Sequence, residues 1–209
     1  MLTLRKSKFT TENSRGMKQN QKIREIWKPG TMVYPVPAVI VSCGDYDHAN
    51  LITVAWIGTI CTDPAMLYIS VRPERYSYDL IKERMEFTVN LTTADMARAT
   101  DLCGVKSGRD TDKWTAAGLH KTKGVTVGCP YIEESPLAIE CRVKEIMALG
   151  SHHMFLAEVL AVLPDGRLMD AETGRFMLSE AGLMNYAHGH YYSQGAELGH
   201  FGWSVKKKK

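Results

Sequence analysis

Two long strand segments, Leu137 to Ala148 and Met154 to Leu163, are separated only by Leu149-Gly-Ser-His-His153, and a turn signal at Pro164-Asp-Gly closes the second. Four shorter runs precede them: Pro37 to Cys43, Leu51 to Ile60, Met66 to Val71 and Phe87 to Leu91. Each is rich in β-branched or apolar residues and ends at glycine, proline or charge, as strands of one sheet do. Only short helices fit between them. Tyr76 to Arg84 places Tyr76, Leu80 and Ile81 at helical spacing, and Asp95 to Leu102 is a second candidate. Many strands with few helices predict a mainly β protein, an antiparallel barrel of Greek-key-like order rather than a doubly wound sheet. The Gly-, Tyr- and His-rich stretch from Asn185 to Trp203 lacks a period and is expected to be a packed loop region.

The 209 residues, 44% of them hydrophobic, suffice to bury one core. Residues 1–26 are polar and aperiodic and read as a loosely ordered extension, 27–205 as a single domain and 206–209 as a lysine tail. The charge is uneven. Residues 1–28 hold eight Lys/Arg against two Asp/Glu, and the last four residues are all Lys, which leaves 14 basic and 21 acidic residues in the body. A body of net charge about −7 argues against a nucleic-acid interface, which needs basic residues clustered on the fold. No apolar run suits a secretory signal or a membrane span, so the expected location is the cytoplasm.

The five cysteines, Cys43, Cys61, Cys103, Cys129 and Cys141, form no C-x-x-C pair and predict neither a disulfide framework nor a zinc site. His152-His153 and His188-x-His190 lack the carboxylate-supported patterns of metal centres, so no metal is expected. G-x-G-x-x-G, G-x-x-x-x-G-K-[ST] and G-x-S-x-G are absent. Cys103 stands near Lys106 and Arg109, which would lower its pKa if they lay against it.

Two segments carry ligand chemistry. Asn50 to Pro64 sets Thr53, Ala55, Trp56 and Gly58 into an apolar strand, either as ordinary core residues or as a surface for a flat, polar-edged ring approaching the backbone. Cys103 to Trp114 gathers Ser107, Gly108, Arg109 and Lys113, either as a solvated turn capping a short helix or as a phosphate cradle. Arg72 and Arg75, with Ser77 at the mouth of the next helix, make a second phosphate candidate, and both clusters can serve one phosphate.

Six separated motifs occur in an order that resembles the flavin reductase-like proteins, and within them the flavoredoxin branch. They are Trp27-Lys-Pro-Gly-Thr-Met-Val-Tyr-Pro-Val-Pro-Ala, Asn50-x-x-Thr-x-Ala-Trp-x-Gly, Arg72-Pro-x-Arg-Tyr-Ser-Tyr-Asp-Leu-Ile81, Phe87-Thr-Val-Asn90, Cys103-Gly-x-x-Ser-Gly-Arg-Asp-x-Asp-Lys and Gly150-Ser-His-x-x-Phe-x-x-Glu158. The resemblance implies an FMN-binding split β-barrel that works as a homodimer. By motif position Thr53, Val54, Ala55 and Trp56 would line the isoalloxazine, with Ser70, Val71 and Arg72 at the adjoining strand end. Arg75, Ser77 and Asn90 would continue the site. Ser107, Arg109 and Lys113 would approach the phosphate or the ring's polar edge, beside the backbone of Cys103 and Gly104. His152 would stand on the substrate side, and Tyr186 would lie against the flavin. Trp114 departs from the family by standing where Phe is frequent. The implied activity is an NADH- or NADPH-dependent flavin reductase. The alternatives are an electron carrier with tightly bound FMN serving a redox partner protein, and a non-redox binding module on the same barrel.

Overall fold

The computed structural model describes residues 24–205, so most of the predicted extension and the lysine tail lie outside the described residues. In chain order the strands and helices are β1 (Val36–Pro37), β2 (Val39–Cys43), β3 (Asn50–Val54), β4 (Ile57–Thr62), β5 (Ala65–Val71), α1 (Tyr76–Arg84), β6 (Glu86–Asn90), α2 (Ala97–Val105) and α3 (Lys113–Ala117). There follow β7 (Lys121–Thr122), β8 (Tyr131–Ile132), β9 (Leu137–Ala148), β10 (His153–Pro164), β11 (Met184–Ala187) and β12 (His190–Ser193).

Seven strands form one antiparallel sheet in the order β3-β2-β6-β9-β10-β5-β4. Its two edge strands, β3 and β4, follow each other in the chain with only Ala55 and Trp56 between them. Two residues cannot span an open seven-stranded sheet, whose neighbouring strands lie about 4.8 Å apart, so the sheet curls until its edges meet. The amide of Ser70 on β5 donates to the carbonyl of Trp56 at 2.8 Å, which carries the β4–β5 ladder on into this crossover. The fold is the predicted mainly β barrel. Leu51 to Ile60, however, is not the single strand expected, because barrel closure breaks it at Ala55–Trp56 and turns that backbone into a wall.

The core follows from the strand period. β2 is buried along its whole length because both its faces are covered. Val39, Val41 and Cys43 point into the barrel with Ile69, Phe87, Val89 and Phe155, while Ile40 points the other way, into a second cluster with Leu51, Cys103, Trp114 and Ile132. Full burial of each large side chain contributes about 1.5–3 kcal/mol. The second cluster fastens α2 and α3 over β3, and Trp114 adds a hydrogen bond of 3.0 Å from its indole N–H to the Ala49 carbonyl. The stretch expected to be a packed loop instead forms the β11–β12 hairpin, with β1 on its other side. Beyond Ser193 the chain has mostly exposed side chains, Leu198 and Phe201 among them.

Candidate functional site

Two chambers meet at the barrel seam and share Ile52, Arg72 and Arg75 in their walls. Their volumes, about 350 and 290 Å³, together fall within the range of ligand pockets, roughly 300–1,000 Å³.

The first chamber is walled by β3 at Thr53 and Val54, by the Ala55–Trp56 crossover, and by Ser70, Val71 and Arg72 at the end of β5. Gly104 of α2 closes one side and His152 another, while Tyr34, Tyr186 and Tyr191 supply aromatic surface. Thr53 is held by a hydrogen bond from its hydroxyl to the Thr100 carbonyl. A Cβ on Gly104 would come to 3.2 Å from the Thr53 Cβ, so glycine lets α2 seat closely on β3. This chamber offers flat apolar surface, hydroxyls and backbone, which suits a planar ring.

The second chamber is cationic. Arg72, Arg75, Lys106, Arg109 and Lys113 line it with Ser77, Ser107 and Gly108, and Glu74 is the acid among them. Arg72 pairs with Glu74 at 2.7 Å, while Arg109 donates to the Glu74 carbonyl at 3.2 Å and lies over the Tyr76 ring. The start of α1, whose N-cap Arg75 makes no side-chain cap hydrogen bond, adds the positive end of its dipole. A Cβ on Gly108 would sit 2.2 Å from Asn50 Oδ1 and 2.7 Å from Tyr76 Cδ1, so no other residue fits there without displacing those groups. The chamber suits a phosphate dianion. The two basic clusters read from the sequence therefore line one cavity, and the competing helix-cap reading holds as well: Asp112 caps α3 by accepting from the Trp114 amide at 3.1 Å.

The expectations for Asn90 and Cys103 need correction, and that for Lys113 needs a qualification. Asn90 does not reach either chamber. It is fully buried, its Nδ2 donates to the Ile40 carbonyl at 3.0 Å and to Ser42 Oγ at 3.1 Å, and its Oδ1 accepts from the Ile132 amide. Strand β6 is interior, so its polar residue serves the sheet. Lys113 does not extend a free ammonium: it is 4% exposed, and Nζ donates to the Leu51 carbonyl at 2.7 Å and the Cys103 carbonyl at 2.9 Å. Burial pushes its pKa down, and it lines the second chamber with these donors already engaged. Cys103 is not activated, because burial outweighs the nearby Lys113 charge and pushes its thiol up to about 11.

The remaining predicted residues gather as expected, with qualifications. Ser77 is buried and its hydroxyl accepts from Asn50 Nδ2 at 2.7 Å, so it shapes the second chamber from beneath. Ser107 Oγ accepts from the Arg109 amide at 3.2 Å. His152 lines the first chamber, its pKa lowered by desolvation and then by Arg72. Sequence reading missed Tyr34, Asp101 and Tyr191 as wall residues. Tyr34 lies within the Trp27-to-Ala38 motif, but Asp101 and Tyr191 carried no local signal.

Fold and cavity together define a split β-barrel protein. The chain belongs to the flavin reductase like domain family, whose model matches residues 31–195. It is similar to the flavoredoxin of Desulfovibrio vulgaris (Miyazaki F), at 28% identity and a TM-score of 0.80, with 88% of this chain and 100% of that one covered. An FMN-binding protein from Thermus thermophilus, solved with bound 1-cyclohex-2-enone, is 25% identical with a TM-score of 0.73, covering 85% and 99%. A NADPH-flavin oxidoreductase of Streptomyces viridifaciens is 27% identical over 154 residues, 70% of this chain and 73% of that protein.

Proposed function

We propose that this chain binds FMN and acts as a flavin-dependent oxidoreductase that takes electrons from NADH or NADPH. One observation carries the reading: a ring-sized chamber and a cationic chamber share Arg72 and Arg75, as a planar ring joined to a phosphate requires. When bound, FMN would supply the two-electron redox chemistry. The residues of this chain bind and orient it. Thr53 to Trp56 and the end of β5 would hold the ring, while Arg72, Arg75, Arg109 and the start of α1 would hold the phosphate. Lys113, which also lines this chamber, would fix β3 to α2 and lend it a positive charge. His152, its pKa held below the usual 6.5 by desolvation and then by Arg72, would be neutral at neutral pH and would face the substrate without adding charge. No side chain is required as an acid or base.

A second reading, an electron carrier with tightly held FMN that serves a redox protein, is favoured by the similarity to a flavoredoxin over that protein's whole length. A homodimer belongs to both readings. Ile60 on β4, Met147 on β9 and Val162 on β10 are exposed apolar side chains of the kind a second copy would cover. The proposed compartment is the cytoplasm, which suits five cysteines none of which is in a disulfide.

The visible spectrum of the purified protein, before and after anaerobic addition of NADH or NADPH, tests these readings. Flavin bands that bleach support the reductase. Bands that persist favour the carrier, and no bands after FMN addition would overturn both.

A further inference from the structure

The link between β5 and α1 is the four-residue turn Arg72-Pro-Glu-Arg75, closed by a hydrogen bond of 3.0 Å from the Arg75 amide to the Arg72 carbonyl. Proline at its second position presets the backbone for such a turn. The turn carries Arg72 and Arg75 at its two ends, and both line the ring chamber and the cationic chamber. Glu74 stands between them and lines the cationic chamber alone.

Glu74 meets two of the five cationic side chains of that chamber, in two chemically different ways. Its main-chain carbonyl accepts from Arg109 at 3.2 Å, which brings the loop of Ser107 and Arg109 against the turn without involving the carboxylate. Its carboxylate pairs with Arg72 Nε at 2.7 Å. That contact offsets the charge of Arg72 and occupies the Nε edge of the guanidinium, one of the edges with which arginine grips a phosphate through two parallel hydrogen bonds.

The fold itself asks little of this carboxylate. The turn is closed by its backbone hydrogen bond and its proline, and the side chains of Arg72 and Glu74 are 51% and 59% exposed, where an ion pair contributes little to stability. A phosphate dianion in the chamber, by contrast, meets the carboxylate twice over: as a rival for Arg72 and as a like charge.

We propose that Glu74 limits retention of the phosphate-bearing ligand: its carboxylate competes with the phosphate for Arg72, so that FMN leaves more readily than the surrounding cations alone would allow. The proposal rests on the FMN reading above. Among the described residues that line the cationic chamber, Glu74 is then the one whose charge works against the cofactor.

The test is Glu74→Gln, which removes the charge and keeps the carbonyl that Arg109 uses. FMN and riboflavin are titrated into apo-protein by fluorescence quenching, and FMN release is followed by stopped flow. The variant should bind FMN about threefold to fivefold more tightly, the range that one partly exposed ion pair commands, and should release it more slowly by a similar factor. Riboflavin has no phosphate, and its affinity should not change. The gain for FMN should shrink as salt is raised, because exposed charges are screened. Unchanged or weaker FMN binding would overturn the proposal and make Glu74 a residue that orients Arg72. A gain that riboflavin shares, or that salt leaves untouched, would overturn it as well. If wild type and variant both fail to bind FMN, the cofactor reading falls and this one with it.

Discussion

The buried ammonium of Lys113 donates a 2.7 Å hydrogen bond to the carbonyl of Leu51, so a cation at the start of α3 is fastened to the strand that walls both chambers. The same Nζ reaches the Cys103 carbonyl on α2, and the three elements are thereby held at one point. The family resemblance places this lysine near the phosphate or the ring's polar edge. Its geometry makes it a support of the cationic chamber that it also lines.

Lys113→Met keeps the packing but leaves two buried carbonyls without this donor. Equilibrium urea unfolding should show a loss of about 1–3 kcal/mol, with weaker FMN binding as a consequence of the displaced wall. Unchanged stability would mean that the two hydrogen bonds do not constrain the fold.

The same residue predicts a pH dependence. Burial holds the Lys113 pKa below its usual 10.5 in the folded chain, so between that lowered value and 10.5 the unfolded chain binds more protons. Its contribution to stability therefore rises with pH through that window. Buried thiols such as Cys103 work in the opposite direction, since a raised pKa stabilises the fold below 9.0 and the benefit fades as pH climbs toward about 11. The difference in unfolding free energy between wild type and Lys113→Met isolates the lysine. It should shrink as the pH falls from 10.5 and the buried charge is forced on, and a difference that grows would contradict the assignment.

Among the thiols, Cys61 on β4 is partly exposed whereas Cys103 is fully buried with its pKa pushed up to about 11. Alkylation by iodoacetamide at pH 8, followed by peptide mass mapping, should label Cys61 well before Cys103. Equal rates would show that Cys103 is an accessible, activated thiol after all.

Gly108→Ala places a methyl group where Asn50 and Tyr76 already stand. The loop bearing Ser107 and Arg109 must shift, and FMN affinity, followed by fluorescence quenching, should fall at least about tenfold, the loss of one charge-assisted contact. An unaffected dissociation constant would remove this loop from the site.

Asn90→Ala should act on folding and not on the site. It strands the Ile132 amide and the Ile40 carbonyl in the sheet interior, and a loss of at least about 2 kcal/mol in urea unfolding is expected. The folded fraction should retain the wild-type FMN affinity, and a specific loss of FMN binding would restore Asn90 to the site.

Much of this architecture was legible in the sequence where pattern and burial agree. The helix at Tyr76–Arg84 and the long pair β9 and β10 follow directly from periodicity and from the short connection between the strands. The break at Ala55–Trp56 was not legible, because it is imposed by barrel closure, and no charge or proline interrupts Leu51 to Ile60. The β11–β12 hairpin was hidden because His188 stands where a turn-forming asparagine or glycine would have marked it. The site was readable to the extent that its residues cluster in sequence, as Thr53 to Trp56 and Ser107 to Lys113 do. Motif position could not tell a side chain aimed at the cavity from one aimed at backbone, hence the misplaced Asn90. Asp101 and Tyr191 meet only through the tertiary fold, 90 residues apart in the chain.

The central claim is that one cavity holds a ring at one end and a phosphate at the other. The most direct test is the dissociation constant of FMN against that of riboflavin, measured by fluorescence quenching on the same apo-protein. Two or more charge-assisted contacts to the phosphate predict that FMN binds at least about 100-fold more tightly than riboflavin. Equal affinity for the two would contradict the assignment of the cationic chamber and the account built on it.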